Sequence, residues 1–308
     1  MRRVFTLGET VLDILFRSGA PVNSVAGGSM LNTAVALGRM GCQVEFISEF
    51  GQDAPGKIIE NSLEKNHVSS KHSIRYDDRF NTSVALAFLD ESQNASYTFY
   101  HHQPDELTRT TVPETGPGDI LAFGSFYSVK PARRRHVAKI VRSANESGAF
   151  IIFDPNIRKN HLADLPSIRE VFIENMSLSH LVKGSCEDFA FLTGADNPAN
   201  IYDSLKSYCP YIIITQGEKE VLLFTPRFRK SYPVEIISPI STIGAGDNFT
   251  SGLIYGLLQF EQPESSAGNL TLPQWDKLIA YGIAFSAATC LSLENYIPEG
   301  FRINLKMQ

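Results

Sequence analysis

The residues best suited to chemistry stand together late in the chain, as Gly244-Ala245-Gly246-Asp247 within residues 240–252. Small residues let a backbone turn tightly and come close to a ligand. Just beyond them Phe249, Leu253, Leu257 and Phe260 recur at helical spacing. The pattern predicts a turn feeding a helix N-terminus, whose unpaired N–H groups make an anion site. Asp247 places a carboxylate in the middle of it, where an acid is repelled by a phosphate unless a metal or a proton transfer involves it. A dinucleotide fold would need G-x-G-x-x-G directly after the first strand. Here Phe249 stands where the third glycine belongs and the motif comes late, so that chemistry is excluded.

Other candidates are spread along the chain. Asp13 lies between Leu12 and Ile14 in an apolar run, so it either faces solvent on a half-exposed strand or turns toward a ligand. Gly27-Gly28 forms a small-residue turn ahead of a helix that carries Asn32. Asn156 and Arg158 follow a strand that ends at Asp154, itself read as a structural turn acid, and Thr215-Gln-Gly217 reads as a turn at the end of another. Ser185-Cys-Glu187-Asp188 has the chemistry of a helix N-cap with acids in the first turn. Arg133-Arg134-Arg135 opens a helix whose apolar stripe is Val137, Ile140, Val141 and Ala144, which predicts the arginines mostly on the solvated face. His101 and His102 are adjacent on a strand, so they point to opposite faces.

The elements that must position these residues alternate in type. Strands are expected at 4–7, 10–16, 43–47, 120–124, 150–154, 180–183, 211–215 and 221–224. Helices are expected at 30–40, 131–147 and 272–291. Such βα units predict a mostly parallel sheet covered by helices on both faces, with ligands at the carboxyl ends of its strands. Residues 83–89 and 95–101, joined by the polar turn 90–94, read as a β-hairpin that interrupts this order. They predict a separate small sheet acting as a lid.

The 308 residues suffice for one large domain with a small appendage, and 43% hydrophobic with 20% charged residues is ordinary for a globular chain. A net charge of −5 argues against nucleic acid or an anionic membrane as partner. No apolar run reaches the roughly 20 residues of a membrane span. Glu9 arrives before any long apolar region, so no secretory leader is expected. Cys42, Cys186, Cys209 and Cys290 are scattered, as buried thiols in a reducing cytoplasm would be.

Four stretches carry a resemblance. Ser-Thr-Ile-Gly-Ala-Gly-Asp-Asn-Phe at 241–249 resembles the D-T-x-G-A-G-D-x-F signature of the ribokinase-like (PfkB-type) carbohydrate kinases. Gly-Gly-Ser-Met-Leu-Asn at 27–32 is similar to their G-G-x-x-x-N. Gly8-Glu9-Thr-Val-Leu-Asp13 resembles the opening strand pair, and Asp154-Pro-Asn-Ile-Arg158 the D-x-N-x-R stretch. The matches come in family order across essentially the whole chain. The resemblance implies a three-layer α/β/α core spanning 1–308, with a mostly parallel sheet and a β lid from about 10–26 and 73–105. It implies transfer of phosphoryl from ATP, with Mg2+, to the primary hydroxyl of a small sugar. Fructose is the first expectation, ketodeoxygluconate, ribose and a nucleoside remain open in that order, and a non-catalytic sensor of sugar or nucleotide on the same fold is the rival of another class.

In that scheme Asp247 is the base, and Gly244, Ala245 and Gly246 offer N–H groups to the phosphoryl charge. Asp13, Gly27, Gly28 and Asn32 bind sugar hydroxyls, and Arg158 neutralises phosphate. Ser185, Thr215 and Gly217 border the nucleotide, and Glu187 or Asp188 meets magnesium through water. Ser241 replaces the family's usual first Asp, which weakens any role for a monovalent cation. His101 stands where related sugar kinases carry Arg. A homodimer through the lid is expected, in the cytoplasm.

Overall fold

The computed structural model describes residues 2–77, 79–89, 95–105, 107, 111–157, 165–263 and 266–303. Arg158 and the 90–94 turn lie outside these, and so carry no structural account.

The chain begins with β1 (Arg3–Leu7), β2 (Val11–Arg17), β3 (Ala20–Gly27), α1 (Ser29–Arg39), β4 (Gln43–Ile47) and β5 (Glu49–Gly51). It continues through α2 (Ala54–Lys65), β6 (Val68–Ser69), β7 (Ile74–Tyr76), β8 (Asn81–Leu89), β9 (Ala95–His102), β10 (Ile120–Gly124), α3 (Pro131–Glu146) and β11 (Phe150–Asp154). Then follow α4 (Leu165–Ser177), β12 (Leu181–Ser185), α5 (Cys186–Thr193), α6 (Pro198–Leu205), β13 (Ile212–Thr215), β14 (Glu220–Phe224), β15 (Arg229–Pro233), α7 (Ala245–Leu258) and α8 (Leu272–Cys290).

Nine strands make one sheet in the order β15-β14-β13-β12-β11-β10-β1-β4-β6. The pairs from β13 through β6 are parallel, and β14 and β15 add an antiparallel edge. Successive residues of a strand feed opposite cores, as a pleated backbone requires. Val4, Ile120 and Ile152 pack on one side with Leu31, Leu253 and Trp275 of α1, α7 and α8. Phe5, Leu121 and Ile151 pack on the other with Val137, Phe172, Phe189 and Ile201 of α3 to α6. This is the expected α/β/α sandwich. The chain order reverses beside β1, and a crevice at the carboxyl ends of the strands follows from that reversal.

A second sheet, ordered β3-β2-β8-β9, stands apart from the first. Its register sets Asp13 beside Ala85, and Ala85 beside Phe99, so these three share one face. The opposite face carries Ile14, Phe16, Val84, Leu86, Phe88 and Tyr100, with Phe16 and Phe88 stacked at 4.9 Å between ring centres.

Three sequence expectations change. Residues 74–76 pair with β5 rather than joining the second sheet. β3 was not expected as a strand, because most of its residues are exposed and leave no alternation to read. Arg133 is not on the solvated face: it is fully buried, and its Nε donates to Glu49 Oε1 at 2.5 Å. Positions 133–135 are about 100° apart around a helix, so Arg133 turns inward, Arg134 is half-buried against Asn175 and Glu174, and Arg135 alone faces solvent. The four cysteines are free thiols. Among the described residues no helix is long and apolar enough to cross a membrane.

Candidate functional site

Gly244 caps α7 in the left-handed region at φ 77°, a conformation that costs an L side chain roughly 1–2 kcal/mol. A Cβ there would also lie 2.0 Å from the carbonyl oxygen of Asn295. The next residue after the motif explains the tight fit. Asn248 Nδ2 donates to the carbonyls of Gly244 (2.8 Å) and Asn295 (2.9 Å), and its Oδ1 accepts from Ile297 N at 3.1 Å. The turn is thereby pinned to the segment after α8. Ala245 N reaches back to Thr242 O at 3.3 Å, a long bond, while the first-turn amides of α7 have no acceptor inside the helix.

Asp247 is the third residue of α7 and is buried, 6% exposed. Asn32 Nδ2 donates to its Oδ2 at 2.8 Å, across 215 residues of sequence. Asn156 Nδ2 approaches its Oδ1 at 3.4 Å. Thr33 and Ser251 hydroxyls hold the Asp247 carbonyl at 3.1 and 3.0 Å. Asn156 adopts φ 41°, a strained conformation for a residue other than glycine and one that gathers at functional sites. Asn32 is itself buried, and among the described residues its Oδ1 has no hydrogen-bond partner. A buried acceptor left open beside a buried carboxylate suits a ligand that donates hydroxyl protons.

Gly28 caps α1, and its carbonyl accepts from Asn32 N at 2.8 Å. A Cβ on Gly27 would lie 2.1 Å from Asp13 Oδ2, so the missing side chain is what lets that carboxylate lie against the turn. Asp13, Gly27, Gly28, Asn32 and Asp247 are therefore neighbours, linking the second sheet to α1 and α7. On the same face of the second sheet as Asp13, His101 shares a hydrogen bond with Ser83 Oγ at 2.9 Å. Burial and the nearby charge of Lys130 lower its pKa.

The remaining candidates sit at neighbouring strand ends. Ser185 and Thr215 pair in register at the tips of β12 and β13, and Gly217 lies in the turn beyond. Ser185 accepts from Asp188 N at 3.0 Å, and Asp188 Oδ2 accepts from Ser185 N and Oγ at 2.7 and 2.6 Å. Asp188 Oδ1 takes Ile157 N at 2.6 Å. Both oxygens of Asp188 thus hold protein groups, and the exposed acid of this first turn is Glu187. Neither Ser185, Thr215 nor Gly217 is bonded to the Asp247 cluster among the described contacts.

The sequence reading passed over Lys183. Its ammonium is buried, paired with Asp154 Oδ2 at 2.9 Å and bonded to the Gly246 carbonyl at 3.0 Å. The available signal was the one that exposed Asp13: a charge inside an apolar strand. Asp154, read from sequence only as a structural turn acid, is its counterion and also accepts from Thr250 Oγ1 at 2.9 Å.

Comparison with known proteins places this geometry. The model of the pfkB family carbohydrate kinases matches residues 1–292. A fructokinase of Vibrio alginolyticus is 28% identical over 258 residues, covering 82% of this chain and 83% of that protein. One of Klebsiella pneumoniae is 27% identical over 275 residues, covering 86% and 87%. A solved fructokinase of Vibrio cholerae, with fructose, ADP and calcium bound, superposes with a TM-score of 0.85 at 23% identity, covering 96% of this chain and 94% of that one. An aminoimidazole riboside kinase of Salmonella enterica, solved with its riboside and an ATP analogue, superposes at 0.81 and 21% identity, covering 95% and 94%. At these identities the superpositions show the shared fold.

Proposed function

Because this chain belongs to the pfkB family of carbohydrate kinases, we propose that it phosphorylates a primary hydroxyl of fructose with ATP. The observation that carries the reading is the Asn32–Asp247 bond, with the open Oδ1 of Asn32 beside it. The fructokinases among its relatives support fructose as the sugar.

In this scheme Asp13 and Asn32 orient the sugar hydroxyls, with Gly27 and Gly28 giving the backbone room. Asp247 accepts the proton of the attacking hydroxyl, and the resulting oxygen bonds to the γ-phosphorus. The bond from that phosphorus to the β-bridging oxygen breaks, and ADP leaves. The amides of the Gly244–Gly246 turn face the charge that develops on the transferring group, and Arg158 is the residue we assign to neutralising phosphate charge. Asp247 therefore meets the hydroxyl while the turn meets the phosphate, which removes the conflict of an acid in an anion site. Ser185, Thr215 and Gly217 border the nucleotide.

Magnesium would neutralise phosphate charge. Among the described residues no three His, Cys, Asp or Glu side chains are grouped to cage a metal. The ion would be held by the phosphates of ATP and reached through water, as its reluctance to shed water favours. Glu187 is the acid we assign to that contact, since Asp188 is occupied by Ser185 and Ile157.

The second sheet would act as a lid that excludes water from the γ-phosphate. Its outer face exposes Phe88 at 40% and Tyr100 at 59%, an apolar surface that a second copy of the chain would cover as a dimer. The need for ATP and the free thiols fit a cytoplasmic enzyme. Release of ADP measured with fructose, ketodeoxygluconate and ribose tests the reading, with the phosphorylated carbon located by NMR. Turnover should be fastest with fructose and the phosphate should sit on a primary carbon. Absence of fructose turnover would overturn the substrate.

A further inference from the structure

A lysine inside a parallel strand, walled in on both sides, is a costly feature. Lys183 is 3% exposed and lies on β12 with its Nζ directly under the first turn of α7. Burial works against its charge, but Asp154 first, then Asp247 and Asp188, more than offset that, and the ammonium stays protonated. Replacing a buried ion pair by apolar side chains is often neutral or stabilising, so fold stability is a weak reason for its presence.

The geometry offers a better one. The Gly246 carbonyl that accepts from Lys183 Nζ at 3.0 Å belongs to the peptide unit whose N–H is that of Asp247. Holding that peptide plane fixes both the last residue of the glycine turn and the direction in which the Asp247 side chain leaves the backbone. Asp154 adds a second fastening, since its Oδ2 accepts from Lys183 Nζ at 2.9 Å and from Thr250 Oγ1 at 2.9 Å, one helical turn further on. Strands β11 and β12 thus grip the start of α7 from below. The ammonium also puts a positive charge one hydrogen bond from the turn that must meet phosphoryl charge.

Resting on the kinase reading above, we propose that Lys183 is a positioning residue for phosphoryl transfer, anchoring the Gly246 carbonyl so that the glycine turn and Asp247 keep the orientation that the transferring group requires. Asp154 serves as its counterion and as the link to Thr250.

The test uses Lys183→Met and the charge-neutral double variant Lys183→Met with Asp154→Asn, each checked for folding by circular dichroism and thermal melting. The double variant avoids stranding a buried carboxylate. It should fold, keep its KM for fructose within about threefold, and lose about 10²-fold in kcat, the scale of a misplaced reacting group. Binding of ADP with aluminium fluoride, which mimics the transferring phosphoryl, should weaken at least tenfold by calorimetry while ADP alone binds as before. A folded double variant with kcat within threefold of the parent and unchanged affinity for the mimic would overturn the proposal. So would failure of both variants to fold, because a need of the fold would then account for the lysine. A parent chain that turns over no sugar would instead remove the kinase reading. The affinity comparison needs no sugar and still judges Lys183.

Discussion

Asn32 bonds to Asp247 through its amide nitrogen, and its buried oxygen, without a partner among the described residues, is the group we propose for a sugar hydroxyl. Asn32→Ala should raise the KM for fructose about tenfold or more, since hydrogen bonds to charged groups are worth roughly 1.5–3 kcal/mol. Steady-state kinetics with an unchanged KM would remove Asn32 from the sugar subsite. Gly244→Ala attacks the turn itself. It forces a side chain to φ 77° and into the Asn295 carbonyl, and should cost at least about 2 kcal/mol in urea unfolding together with most turnover. A stability within about 0.5 kcal/mol of the parent would show that the turn tolerates a Cβ. These residues were legible in the sequence because their chemistry is local: glycines beside an acid, an amide after a glycine pair, a carboxylate among aliphatics. Lys183 carried the same signal as Asp13. What hid its role was the distance in sequence to Asp154 and Gly246, which only the sheet order brings together.

At the scale of elements, the α/β alternation gave the sandwich, and the hairpin gave the second sheet. Exposed β3 and the fate of the arginine triplet were not legible, since both depend on partners far along the chain. Arg133 ties α3 to β5 through Glu49, with both side chains almost fully enclosed. Arg133→Met should therefore cost about 3–5 kcal/mol by stranding Glu49. Adding Glu49→Gln should restore most of that in a double-mutant cycle, and simple additivity would mean the two do not act as a pair. The same helix carries a pH dependence. Burial first, then the charges of Lys139 and Arg133, lower His136 from the usual 6.5 to about 4, and among the described residues its Nδ1 has no hydrogen-bond partner. As pH falls, the unfolded chain takes up the proton first. The stability of the neutral form is therefore full above about pH 6.5 and lost toward pH 4, about 2 kcal/mol by pH 5. Urea midpoints at pH 7.5 and 5 should separate less for His136→Gln than for the parent, and an equal drop in both would assign the acid sensitivity elsewhere.

Over the whole molecule, the two sheets divide the work. The large sheet carries Lys183 and Asp154 against the first turn of α7 and offers the strand ends we propose for the nucleotide, and the small one brings Asp13 against the Gly27 turn. An apolar outer face on the small sheet leaves its association exposed to test. Light scattering should find a dimer at micromolar concentration, and Phe88→Glu should yield a folded monomer. A monomeric parent would leave the face without its proposed partner.

The central claim is that Asp247 takes the proton of the sugar hydroxyl while the turn before it meets the phosphate. Steady-state turnover of fructose by Asp247→Asn, which keeps the shape of the side chain and removes its basicity, tests this most directly. The account predicts a kcat lower by about 10²–10⁴-fold, with the melting temperature and the KM for fructose little changed. Turnover within threefold of the parent would contradict it.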